Sequence, residues 1–156
     1  MNLLRRKFVK TAAFVGATVS LGSSALLIPQ RALAAYSKAA FEATDVNGVL
    51  NEVFGSTDHS ASGEINVKAP DIAENGAVVP VTVSSGMSNV NMIAIMATGN
   101  NVPLTSTYML SSATEPFVST RIKMAKTADV IAVVKADGKL YSATKEVKVT
   151  IGGCGG

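Results

Sequence analysis

Val130-Ile131-Ala132-Val133-Val134-Lys135-Ala136-Asp137-Gly138-Lys139-Leu140 leads from an unbroken apolar run, through Asp-Gly, into the last patterned segment of the chain. Five consecutive apolar residues fit a strand buried on both faces. Asp-Gly supplies the positive backbone φ that a two-residue hairpin turn requires. Beyond the turn, Val147, Val149 and Ile151 alternate with Glu146, Lys148 and Thr150. The period of two predicts a final strand from Leu140 to Ile151 with one wet face.

The same period extends back to Gly63. Candidate strands are 64–69, 77–84, 90–97, 105–110, 117–124, 130–136 and 140–151, punctuated by Pro70, Asn75-Gly76, Ser85-Gly86, Gly99-Asn100-Asn101, Glu115-Pro116 and Asp137-Gly138. In 117–124, Val118, Ile122 and Met124 share a face, and Arg121 and Lys123 take the other. No helical crossover separates the strands, so the expectation is a mainly-β fold: an Ig-like antiparallel β-sandwich of about seven strands, spanning 63–151. Ahead of it, residues 35–55 carry a helical period through Ala39, Ala40, Phe41, Val46, Val49, Leu50 and Val53. Thr44 and Asp45 suit an N-cap, Gly48 weakens the middle and Gly55 suits the end, which predicts an N-terminal helix in two pieces. This helix and the Met-rich strand 90–96 could each face a partner, with core packing the favoured use of both.

The 156-residue chain has 14 Lys and Arg against 11 Asp and Glu, a net charge of +3. That excess lies in residues 1–34, where Arg5, Arg6, Lys7, Lys10 and Arg31 face no acid. Without them 9 cations oppose the same 11 acids, a net charge of about −2, which removes the case for nucleic acid as a partner. The segment has a basic start, an apolar middle and Ala32-Leu33-Ala34 as a cleavage site behind Pro29. Arg5-Arg6-Lys7-Phe8-Val9-Lys10 resembles the twin-arginine consensus, so 1–34 is read as a twin-arginine signal peptide directing the chain to the periplasm. No membrane attachment is expected once it is cleaved. Within 121–148, seven cations outnumber three acids. This stretch is either a receiving surface for anions and acidic partners or an ordinary solvated strand face.

At the other end stand Gly152, Gly153, Cys154, Gly155 and Gly156. Cys154 is the only cysteine, so in an oxidising compartment it has no partner within its own chain. Residues 152–156 are read as a flexible carrier arm that offers one thiol. If Ile151 is held in the sheet, three extended residues project the sulfur about 10 Å from the body. No catalytic set, phosphate loop or metal-ligand cluster is visible, and His59, the lone histidine in a polar loop, is read as solvated. A thiol needs a neighbouring cation, helix N-terminus or base to fall below a pKa of about 8.5, and the arm supplies none. The chain is therefore expected to be no enzyme and to need no cofactor. Cys154 would be a covalent substrate attachment site on which partner enzymes act.

Asp71-Ile72-Ala73-Glu74-Asn75-Gly76-Ala77-Val78-Val79-Pro80-Val81-Thr82-Val83, together with Glu146-Val147-Lys148-Val149-Thr150-Ile151-Gly152-Gly153-Cys154-Gly155-Gly156, resembles the SoxY family, the sulfur-carrier subunit of the SoxYZ complex. The resemblance implies periplasmic thiosulfate oxidation. A haem-containing enzyme would conjugate thiosulfate to Cys154, a hydrolase would release sulfate, a sulfane dehydrogenase would recycle the carrier, and a SoxZ-like subunit would form the heterodimer. Two other readings compete with this. One is a non-catalytic periplasmic binding module with Cys154 in an intermolecular disulfide. The other is a ubiquitin-like carrier using the terminal Gly155-Gly156, which the export leader opposes.

Overall fold

The structure, a computed structural model, describes residues 37–150. The leader read from sequence at 1–34, residues 35–36 of the expected helical segment, Ile151 and the arm read at 152–156 lie outside the described residues.

Residues 37–43 form successive turns, with the Ala43 N–H bonded to the Ala39 carbonyl at 3.0 Å. Helix α1 follows at Val46–Phe54. The interruption between the two pieces falls at the cap: Asp45 is extended and its side chain accepts the Gly48 N–H at 2.9 Å. Gly48 itself is inside the helix, and the piece before the cap is too short to continue beyond turns. Gly55, at φ 74°, ends α1 and returns its N–H to the Asn51 carbonyl. Only a residue without Cβ takes that left-handed position without cost.

The remaining described residues form nine strands: β1 Ser60–Ala61, β2 Ile65–Lys68, β3 Ile72–Ala73, β4 Val79–Ser85, β5 Val90–Ala97, β6 Leu104–Met109, β7 Phe117–Ile122, β8 Ala128–Ala136 and β9 Lys139–Val149. All seven expected strands are present, with ends that differ by at most two residues. The two additions, β1 and β3, are two residues long, too short to show a period, and both pair with β9 in parallel. The sandwich is thus antiparallel except along this one strand.

One sheet runs β1-β9-β8-β5-β6, with β3 also on β9, and the other runs β2-β4-β7. Val79, Val81 and Val83 of β4 and Val118 and Ile122 of β7 turn inward. They meet Ile93, Ile95 and Ala97 of β5 and Val130, Ala132 and Val134 of β8 in one core between the sheets. The other face of the larger sheet is covered too: Ala94, Met96, Val133 and Leu140 pack beneath Val49 and Leu50 of α1. This explains why β5 and β8 are apolar along both faces. It also assigns the Met-rich strand and the helix to the core.

Between β8 and β9, Ala136 pairs with Lys139, and Asp137 and Gly138 take φ of 49° and 76°. Two positive φ values in succession define the tight hairpin that Asp-Gly predicts. That turn fixes the register of β9, so Val147 points into the core, fully buried.

Candidate functional site

The sequence-assigned site, Cys154 with Gly152, Gly153, Gly155 and Gly156, lies outside the described residues. What is described is the base from which it departs. β9 is held on one side by nine consecutive pairs with β8, from Ala136↔Lys139 to Ala128↔Val147. On its other side β3 lies parallel, pairing Ile72 with Lys148 and Ala73 with Val149. The Lys148 N–H donates to the Asp71 carbonyl at 3.0 Å, and the Thr150 N–H donates to the Ala73 carbonyl at 3.1 Å. Thr150 stands four residues before Cys154.

β8 begins only at Ala128, and the Thr127 side chain extends the ladder by one residue. Its hydroxyl accepts the Val149 N–H at 2.9 Å and donates to the Val149 carbonyl at 3.4 Å. Beneath this pair sits Gly76. A Cβ there would lie 2.4 Å from the Met124 carbonyl oxygen and 2.8 Å from Val149 Cγ1. The Gly76 carbonyl also accepts the Met124 N–H at 2.7 Å. Asn75-Gly76 is read from sequence as a turn signal, but close backbone approach at the end of β9 is what requires the glycine.

The electrostatics of this base centre on Asp71. Its carboxylate accepts a hydrogen bond from Lys145 Nζ and forms an ion pair with it. That bond and the Lys145 charge, helped by Lys148, hold Asp71 below the usual carboxylate range against a smaller opposing effect of desolvation. Sequence reasoning missed the pair because 74 residues separate its members. The anchor thus comprises Asp71, Ala73, Gly76, Thr127 and Lys145.

His59 belongs to the opposite end of β9. It is exposed, as read from sequence, and its Nδ1 lies 3.2 Å from the hydroxyl of the buried Ser142. Ser142 is the fourth residue of β9, seven residues before Val149. Among the described residues, no group of three or more His, Cys, Asp and Glu gathers as metal ligands.

The chain matches the family model described as "Sulfur oxidation protein SoxY" over residues 50–154. It is similar to the solved sulfur carrier protein SoxY from Chlorobium limicola f thiosulfatophilum, with 44% identity and a TM-score of 0.60. That match covers 65% of this chain and 93% of the other. A superoxide reductase (neelaredoxin) from Ignicoccus hospitalis aligns at 20% identity and a TM-score of 0.50, over 55% of this chain and 80% of its own, which is a likeness of fold alone. A comparison with curated proteins gives no match. The two-sheet sandwich, with its last strand leading to the only cysteine, falls among the carriers of sulfur oxidation. Within that class, the chain belongs to the SoxY family.

Proposed function

We propose that Cys154 covalently carries thiosulfate-derived sulfur between partner enzymes in the periplasm, on an arm formed by Gly152, Gly153, Gly155 and Gly156. The observation that carries this reading is the SoxY family match, which runs to residue 154 and so includes the thiol. The base supports it: among the described residues the last strand pair is at Val149 and the last backbone bond at Thr150, and four extended residues span about 14 Å. That length suits entry into an enzyme cleft while the sandwich stays outside.

The chemistry divides between the carrier and its partners. Joining the Cys154 thiolate to the terminal sulfur of thiosulfate forms an S–S bond and releases two electrons. A haem-containing partner would accept them. Hydrolysis of the terminal sulfonate transfers the water oxygen to sulfate and leaves a persulfide on Cys154. A sulfane dehydrogenase would then act on the remaining sulfur. The carrier itself contributes tethering, which keeps a small anion at high local concentration through successive steps. A SoxZ-like subunit completes the carrier as a heterodimer, and residues 1–34 direct export by the twin-arginine route.

Intact-mass analysis of protein from thiosulfate-grown cells tests this. The expected result is a thiosulfate or sulfane adduct on Cys154, together with loss of thiosulfate-dependent respiration in Cys154→Ser. Full growth of that variant on thiosulfate, or a stable disulfide dimer with no small adduct, overturns the reading.

A further inference from the structure

The two flanks of the sandwich end differently. On one flank, β9 would be the bare edge of the larger sheet, but β1 and β3 cover its two ends. On the other flank, among the described residues, β6 pairs only with β5 and β7 only with β4, so both sheets end there in unpaired strands. An edge strand turns every second N–H and C=O outward, and proteins commonly guard such edges with proline or charge. Residues 104–110, which hold β6, contain neither. At the far end of the flank, Met109 is 71% exposed and Phe117 54% exposed.

Between the two edges lies a cleft of about 270 Å³, with Ser106 of β6 facing Thr120 and Arg121 of β7. The Ser106 hydroxyl is enclosed and has no hydrogen-bond partner among the described residues. A buried polar group left unpaired costs about 1–3 kcal/mol, a cost that a donor or acceptor seated in the cleft would offset. Arg121 and Lys123 line the same cleft, and neither forms an ion pair among the described residues. A second copy of this chain would bring the same two cations against each other. The cleft also adjoins the anchored end of β9: Asn100 bonds the Lys123 carbonyl at 2.8 Å and the Ala125 N–H at 2.9 Å, and Met124 is bonded to Gly76.

The geometry points to β6 and the adjoining cleft as a docking edge for an extended, acidic strand from a different protein. Main-chain bonds to β6 would supply affinity, and carboxylates facing Arg121 and Lys123 would select the partner. This inference is independent of Cys154.

The test uses residues 35–156 under reducing conditions and two capped heptapeptides of alternating Val and Thr, one with Glu at both ends and one with Lys. Backbone amide NMR with millimolar peptide is expected to show shifts and slowed exchange at 104–109 with the Glu peptide, and at least about tenfold weaker binding with the Lys peptide. Arg121→Glu with Lys123→Glu is expected to reverse that preference, with the remaining amide spectrum unchanged as evidence of folding. Absence of shifts in β6, equal binding of both peptides by the parent chain, or self-association through β6 in place of peptide binding would each overturn the proposal.

Discussion

The flank bearing β9 and the flank bearing β6 and β7 solve the same problem in opposite ways. Both are places where a sheet stops, yet one is laced with parallel two-residue straps, side-chain bonds and an ion pair, and the other is left unpaired with apolar side chains on its surface. The laced flank leads to the C-terminal segment that holds Cys154, and under the proposed function a fixed starting point is useful there. The unlaced flank keeps its main-chain groups available. Rigidity and availability are thus distributed across one small sandwich.

The contrast predicts a graded series of responses. The largest effect belongs to Gly76→Val, because a Cβ meets the Met124 carbonyl at 2.4 Å and both neighbours are backbone or packed side chain. A loss of about 2–4 kcal/mol in denaturant unfolding is expected, and an unchanged midpoint would mean that the 71–76 segment yields freely. Thr127→Val removes the hydroxyl that closes the end of the ladder. It should cost about 1 kcal/mol and speed exchange of the Val149 amide.

A smaller, pH-dependent effect is expected at Asp71. Its carboxyl is held below the ordinary range in the folded protein, so its contribution is fully present above the unfolded value of about 3.9 and is lost as pH falls through the lower folded value. The Thr150 amide, corrected for intrinsic exchange, should therefore loosen at acid pH in the parent chain. In Asp71→Asn it should be loosened already at neutral pH and show no further acid-dependent step. The smallest response is predicted on the open flank, where Met109→Lys should shift stability by less than about 0.5 kcal/mol, since that side chain is mostly in solvent. A loss as large as that of Gly76→Val would erase the distinction between the flanks.

Much of the architecture was legible because burial on one or two faces writes its own period. Val79, Val81 and Val83 alternate because one side of β4 is wet, and 130–134 do not alternate because α1 covers the outer face of β8. Asp137-Gly138 announced its turn through the backbone angles it permits. The anchoring around the end of β9 was largely illegible. β1 and β3 are too short for periodicity, Asp71 meets Lys145 only once the sheet has formed, and Gly76 looks like any turn glycine until Met124 is placed against it. The cysteine and its glycines stood out by composition alone, as an unpaired thiol in a segment with no pattern to bury.

The parallel pairing of β3 with β9 also sets the order in which the molecule can be completed. Partners in that contact are 76 residues apart, Ile72 with Lys148 and Ala73 with Val149, and β9 is the last of the described strands to be synthesised. Until it emerges, β8 has a bare edge and neither β1 nor β3 has a sheet to join, so a chain cut short before residue 139 cannot close its sandwich. Contacts of such long range form late and slowly. A chain terminated before residue 139 therefore lacks both Cys154 and the closed sandwich.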